Sequence, residues 1–352
     1  MTTHDSTTAD HATPAPAPGQ PGAKEAAVQA LLRDFPIPAS APGSWSAQAA
    51  QHTRRWVTAM GLVRSATSAA HLEQISTGQL TGWVHPDALA GRRNTITDWF
   101  SWLFIFDDQC DEGTAGRDPA LLSEIVNAVE GALDTSLPQP RGPLPAAMGD
   151  ICARLRPAAP AAWWQRFSWH VREYLHACVQ EAADRARGKV PTTADYPRAR
   201  REAGAIMPTL DLIEFAAGCY LDDSTYWQPG YQAAREAAAD VICWTDDLAT
   251  AAKEHARGGV HNLIIVLAED HNLTWAQAAA EARQLLDRRI TDYLTAEQAV
   301  LQSQPPQTLD TSLRGLRQWM RGHLDWGAQT ARYHQADHSP GNPAYLEDLA
   351  IP

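Results

Sequence analysis

No stretch of the 352-residue sequence runs for the ~20 uninterrupted apolar residues that a membrane-spanning helix needs, so no membrane partner is expected. The N-terminal region has no basic start, apolar stretch and small-residue cleavage site in series. That removes a secretory signal and makes the cytoplasm the expected location. Cysteine is scarce: Cys110, Cys152, Cys178, Cys219 and Cys243 are odd in number and contain no CxxC pair. Such usage argues against a disulfide framework and a zinc cluster and leaves buried free thiols. Positive charge is in short supply: a formal net charge of -12 disfavours a nucleic-acid partner, whose phosphate backbone needs clustered Lys and Arg. The histidines lack HExxH spacing, His255 and His261 only flanking Gly258-Gly259, and there is no GxSxG elbow. Alternating β-branched runs and fixed-period repeats are also absent, which speaks against sheets and solenoids.

What remains is helix-forming. From about Ala23 onward Ala, Leu, Arg, Glu and Gln dominate. Pro/Gly clusters cut this stretch at Pro36-Ile37-Pro38, Pro42-Gly43, Gly113 to Pro119, Pro138 to Pro145, Pro157 to Pro160, Pro191, Trp227 to Gly230, Gly258-Gly259 and Pro305-Pro306. Residues 1–22, rich in Thr, Ala, Pro and Gly, bring too little apolar surface to offset the entropy of ordering and are expected to be a disordered leader. Residues 23–338 are expected to form one all-α domain, and 339–352, with three prolines and a Gly, a tail able to cover a pocket. The 13 tryptophans are expected mainly in the core.

Chemistry is concentrated in two acidic stripes. At about 3.6 residues per turn, Asp107 and Asp111 share a helix face, with Asp108 beside them and Glu112 beside Asp108. One and two turns earlier that stripe carries Phe104, Leu103 and Phe100. Asp246, Thr250 and Glu254 recur at four-residue steps on a second helix, preceded by Cys243, Ile242 and Ala239. Both helices thus run from apolar to acidic in the same chain direction, as two walls of one pocket would. Val241, Trp244, Leu248 and Ala251 form an apolar stripe opposite the second set, so a solvated acidic face is the plain alternative. Stacked like charges repel, however, and two such stripes favour a compensating cation. Carboxylate and hydroxyl oxygens without Cys or His suit Mg2+, which keeps positions for water and phosphate oxygens. A diphosphate substrate and a dry aromatic cavity that stabilises a carbocation follow.

From about Phe35 to His334 the chain resembles bacterial class I terpene synthases. Asp107-Asp108-Gln109-Cys110-Asp111 matches their aspartate-rich motif, and Asp246 to Glu254 matches their second metal motif, (N/D)D(L/I/V)x(S/T)xxxE, continued by Gly259-Val260-His261-Asn262-Leu263. Asp246 stands where bacterial members usually carry Asn. The resemblance implies a single-domain class I terpenoid synthase α-bundle around a central active-site cavity, acting as monomer or homodimer. It implies three Mg2+ ions, held by Asp107 with Asp111, and by Asp246, Thr250 and Glu254, with Asp108 and Glu112 as further candidates. Lys253, Arg332 and Tyr333 would grip the diphosphate, and Arg200, with Arg201 as the fallback, would sense it. Arg332 and Tyr333 are expected on the last helix, with Trp326 seven residues before Tyr333 on the same face. Ile206, Leu210, Ile213 and Ala217 mark a buried stripe interrupted by Gly204 and Pro208. Because proline lacks an N–H, the Gly204 carbonyl would be freed at a kink, and the resemblance gives it the task of helping ionisation. Candidate pocket walls are Phe100, Leu103, Phe104, Met207 and Trp326.

The activity so implied is Mg2+-dependent ionisation of an isoprenyl diphosphate, farnesyl diphosphate first, and cyclisation to a sesquiterpene. Geranyl and geranylgeranyl diphosphates are the alternatives. A chain-elongating synthase would need a second aspartate-rich motif, for which only Asp222-Asp223 is available, and that pair reads better as a helix end. A non-catalytic helical binding protein would leave Arg200, Lys253, Arg332 and Tyr333 unexplained.

Overall fold

Every proline or glycine cluster that the sequence offers within the described region becomes a helix boundary. A computed structural model describes residues 33–134, 142–333, 344–347 and 349, among which there is no strand. The expected leader, 1–22, lies outside the described residues. The helices are α1 Ser46–Ala59, α2 Ala66–Ile75, α3 Thr77–Val84, α4 Arg93–Asp111, α5 Pro119–Leu133, α6 Pro143–Leu155 and α7 Ala161–Arg187. They continue as α8 Tyr196–Ala203, α9 Ile206–Ala217, α10 Asp223–Tyr226, α11 Pro229–Ala256, α12 Leu263–Asp270, α13 Trp275–Gln302 and α14 Gln307–Gly327. No helix among the described residues is long and apolar enough to cross a membrane.

Local chemistry explains the ends. Pro119, Pro143 and Pro229 each open a helix, where the missing N–H would have had no partner. Asp118 caps α5 by accepting from the N–H groups of Ala120 and Leu121, and Thr274 and Gln277 form a reciprocal capping box on α13. Asp222, half of the alternative aspartate pair, caps α10 through the N–H of Thr225 at 2.8 Å, and Asp223 pairs with Arg166. Both are thus used structurally.

Helix α4 sits at the centre. Trp99, Phe100, Trp102 and Phe106 are almost wholly buried, and the rings of Trp102 and Phe106 stack with centroids 5.1 Å apart. The Trp102 indole donates to the Leu144 carbonyl at 3.0 Å, tying α4 to α6. On the far side, α14 approaches α9 and α3 closely: a Cβ at Gly315 would lie 2.2 Å from Ile213, and one at Gly322 would lie 2.6 Å from the Trp83 carbonyl. The five cysteines are free, four buried and Cys219 half-buried.

The stripe expected through Ile206, Leu210, Ile213 and Ala217 holds for its first three members, while Ala217 is exposed at the end of α9. The expected kinked helix is two helices. The turn falls at Gly204-Ala205, where Ala205 adopts a left-handed backbone with φ 50°, and Pro208 lies in the first turn of α9, where its missing N–H is harmless.

Candidate active site

One cavity lies among α3, α4, α7, α8, α9, α11 and α14, apolar at depth and ionic at its mouth. Its floor includes Leu80, Phe100, Leu103, Phe104, Trp319 and Trp326. Ile242 and Cys243, the turn below Asp246, continue the apolar lining on α11. The apolar-to-acidic order along both helices therefore becomes depth and rim of one pocket.

At the first wall, Asp107 Oδ2 accepts from Arg332 Nη2 at 2.8 Å, and Asp111 Oδ1 from Arg185 Nη2 at 3.0 Å. Glu112 meets Arg257, the Tyr345 hydroxyl and, at 3.4 Å, Lys253 Nζ. Enclosure and then repulsion from Asp111, only partly opposed by Arg332, hold the Asp107 carboxyl well above its ordinary range. At the second wall, Asp246 Oδ2 accepts from Arg200 Nη2 at 2.9 Å, and its other oxygen from the Tyr333 hydroxyl. Burial works against ionisation of Asp246, but Arg200, His323 and Tyr333 together hold its carboxyl below the usual value. Glu254 accepts from Asn262 Nδ2 at 3.0 Å, and burial with repulsion from Asp247 and Asp246 pushes its carboxyl up to about 8. The Thr250 hydroxyl back-bonds to the Asp246 carbonyl at 2.9 Å, leaving its lone pairs to accept or coordinate.

The loop between α8 and α9 brings a third element to the rim. Gly204 lines the cavity, and a Cβ there would lie 2.7 Å from Arg200 Nη1 and 2.9 Å from the Arg200 carbonyl, so the close approach of Arg200 requires glycine. Arg200 also donates from Nε to Asp247 Oδ1 at 2.8 Å. Asp247 is fully buried, takes the Tyr196 hydroxyl at 2.5 Å and caps α12 through the Leu263 N–H, so it braces the second wall from behind.

Several expectations need correction. Arg332 and Tyr333 do not lie on the last helix. α14 ends at Gly327, and the chain turns so that Thr330 Oγ1 and the Ala331 N–H donate to carbonyls at the end of α2. Helical phasing therefore does not bring Trp326 to Tyr333; this turn does, with ring centroids 5.6 Å apart. Asp108 does not line the cavity. It is buried between Arg332 Nη1, at 3.0 Å, and His71 Nε2, at 2.9 Å, which hold its carboxyl below the ordinary range against burial. Met207 is also outside the lining, its carbonyl and sulfur facing the buried Arg235. Of the two arginine candidates, Arg200 reaches the rim, whereas Arg201 pairs with Asp240 at 2.9 Å.

The cavity also contains residues that the motifs did not indicate. Glu181 and Arg185 come from α7, one turn apart, and both line the rim. Arg257 extends the second acidic stripe by one more turn, which is the sequence signal that could have found it. His261 and His323 line the cavity as well; His261 Nε2 lies 3.3 Å from Asp184, and burial keeps the His323 imidazolium disfavoured.

The donor set fits a hard cation: rim carboxylates of Asp107, Asp111, Glu112, Asp246 and Glu254 with the Thr250 hydroxyl, two of the acids crowded enough to resist ionisation. Among the described residues no three acidic, imidazole or thiol groups converge into a complete metal cage.

Comparisons with known proteins bear on the family and the fold. A family model described as "Terpene synthase family 2, C-terminal metal binding" matches residues 98–292, more than half of the chain. The chain is 35% identical to (-)-delta-cadinene synthase of Streptomyces clavuligerus over 287 residues, covering 79% of this chain and 88% of that protein. It is 31% identical to (+)-T-muurolol synthase of Roseiflexus castenholzii, covering 80% and 87%. Among solved structures, a single-substitution variant of cucumene synthase superposes with a TM-score of 0.76 at 27% identity, over 85% of this chain and 99% of that one. Germacradien-4-ol synthase from Streptomyces citricolor shares the fold at a TM-score of 0.74. By the extent of both the family match and the relatives, the chain belongs to the terpene synthase family, lyases that act on prenyl diphosphates and carry a metal-binding domain.

Proposed function

We propose that this enzyme ionises farnesyl diphosphate with three Mg2+ ions and cyclises the cation to a sesquiterpene. The observation that carries the reading is the convergence of two carboxylate walls, Arg200 and Arg332 at the mouth of a single cavity with an aromatic floor. The choice of a C15 substrate follows the relatives: the T-muurolol synthase is a (2E,6E)-farnesyl diphosphate cyclising enzyme.

Asp107 with Asp111 would hold two ions, Glu112 lying beside them, and Asp246, Thr250 and Glu254 the third. Bound there, Mg2+ neutralises the charge that develops on the leaving diphosphate. Arg200, Lys253, Arg332 and Tyr333 supply fixed donors to the same oxygens, the guanidinium groups in bidentate fashion. Both arginines already stand within ion-pair distance of the acids, so a magnesium diphosphate satisfies the two sets together. Gly204 lines the cavity at the C-terminus of α8, and its carbonyl would add a dipole near the breaking bond. Phe100, Phe104 and Trp326 face the hydrocarbon, excluding water and offering ring quadrupoles to the cation.

The test is to incubate the protein with geranyl, farnesyl or geranylgeranyl diphosphate, with Mg2+ or with EDTA, and to analyse hexane extracts by gas chromatography and mass detection. A cyclic C15 product that requires Mg2+ and farnesyl diphosphate is expected. A product only from another chain length would move the substrate assignment, and longer diphosphates formed on adding isopentenyl diphosphate would replace cyclisation by elongation.

A further inference from the structure

The tail, residues 339–352, is expected to cover the pocket or to fray; of its described residues, 344–347 and 349, Tyr345, Glu347 and Leu349 do not line the cavity. They dock behind the acidic rim instead. The Tyr345 hydroxyl donates to Glu112 Oε2, and its ring stacks on His71 with centroids 3.7 Å and planes 8° apart. His71 in turn holds Asp108, and Asp108 holds Arg332. Two residues on, Glu347 Oε1 accepts from the N–H groups of Arg64 and Ser65, both at 2.8 Å, and from Ser68 Oγ at 2.6 Å. A carboxylate is favoured at this N-terminus of α2 by the helix dipole, and these bonds hold Glu347 below its usual pKa against partial burial. The Glu347 carbonyl accepts from Gln109 Nε2 at 2.9 Å, which fastens the same segment to α4, and Leu349 is 1% exposed.

We propose that this segment is a clamp and that Tyr345 and Glu347 are positioning residues of the diphosphate site. Tyr345 fixes Glu112 directly and the Asp108–Arg332 pair through His71; Glu347 fixes Tyr345 by seating the segment on α2 and α4. Such a restraint has a physical purpose. Asp107, Asp108, Asp111 and Glu112 repel one another, and an unrestrained rim would splay. Glu112 also meets Lys253 and Arg257 at the end of α11, so holding it sets the spacing between the two acidic walls.

The inference rests on the reading of the rim as a magnesium-diphosphate site, and the test separates the two. Binding of Mg2+ with inorganic pyrophosphate is measured by calorimetry, beside thermal melting, for wild type, Tyr345→Ala, Tyr345→Phe and Glu347→Gln. Tyr345→Ala is expected to weaken binding about tenfold and Tyr345→Phe about threefold, because Phe keeps the stack on His71 and loses one hydrogen bond. Glu347→Gln should weaken binding in the same direction. With farnesyl diphosphate, the share of uncyclised alcohol should rise in the same order, since a loosened rim admits water. Affinity within twofold of wild type in all three variants overturns the clamp. Wild type that binds no magnesium pyrophosphate overturns the reading of the site instead. If Tyr345→Ala does not fold, Tyr345→Phe, which fills the same space, decides alone.

Discussion

The mouth and the floor of the cavity are built on opposite principles. At the mouth, acids and cations are crowded so closely that Asp107 and Glu254 are held above their ordinary pKa range, and the fold tolerates the repulsion. The floor is dry. Its two indole N–H groups are satisfied within the protein, Trp319 by His85 Nε2 at 3.2 Å and Trp326 by the Ile75 carbonyl at 2.9 Å. The mouth therefore keeps unfavourable electrostatics for a ligand to relieve, whereas the floor contributes burial and packing. On the proposed function, bond breaking belongs to the first region and the path of the cation to the second, and substitutions in the two should have opposite signatures.

The largest effect is expected at the mouth. On the proposed metal assignment, Asp107→Ala or Glu254→Ala removes a ligand and should lower kcat/KM by about three orders of magnitude or more, as the loss of a metal from its site does. Because each carboxylate stands among like charges, the melting temperature without metal should stay level or rise. Steady-state kinetics and calorimetry of the same preparations check both halves. Full activity in either variant would remove the metal assignment, and a marked loss of stability would erase the contrast with the floor.

At the floor the pattern should reverse. Trp326 packs against Phe104 and Tyr333, with centroids 5.7 and 5.6 Å away. Trp326→Ala should cost about 3 kcal/mol or more of stability, as removal of a buried aromatic does, while diphosphate release stays within about tenfold. The product mixture, read by gas chromatography, should shift. An unchanged profile places the ring outside the substrate's path.

This contrast also explains what the sequence made legible. Side chains at four-residue steps on one helix must share a face, so Asp107, Asp111, Asp246, Thr250 and Glu254 could be placed on cavity walls without coordinates. Phe100 and Phe104 followed by the same rule. Residues whose roles depend on contacts between distant segments could not: Arg185 reaches Asp111 from α7, and Tyr345 meets Glu112 across 233 positions. Helical phasing misplaced Tyr333, because the helix that carries Trp326 stops at Gly327 and a turn does the rest. It also gave no means of separating Asp108, which faces His71 and Arg332, from its neighbour Asp107 at the rim, since adjacent residues on a helix differ in facing by only about a quarter turn.

The smallest effect tests the dryness of the floor from below. His85 lies beneath Phe100 and Trp319 with 6% exposure, and burial pushes its imidazolium down to about 3. The ring is therefore neutral in the fold, with Nε2 accepting from Trp319 and the proton on Nδ1. In the unfolded chain its pKa is near the ordinary value of about 6.5. The unfolded state thus binds the extra proton first. The associated stability is fully present above about pH 6.5 and is lost as pH falls toward 3, at ~1.4 kcal/mol for each unit. His85→Gln keeps an acceptor for Trp319 without a titrating group. Urea unfolding of both proteins between pH 7 and 4.5 isolates this one residue, because the other titrating groups cancel in the difference. The wild type should lose about 3 kcal/mol more than the variant over that range. Parallel curves would mean that His85 reaches water, and with it that the floor is not sealed from below.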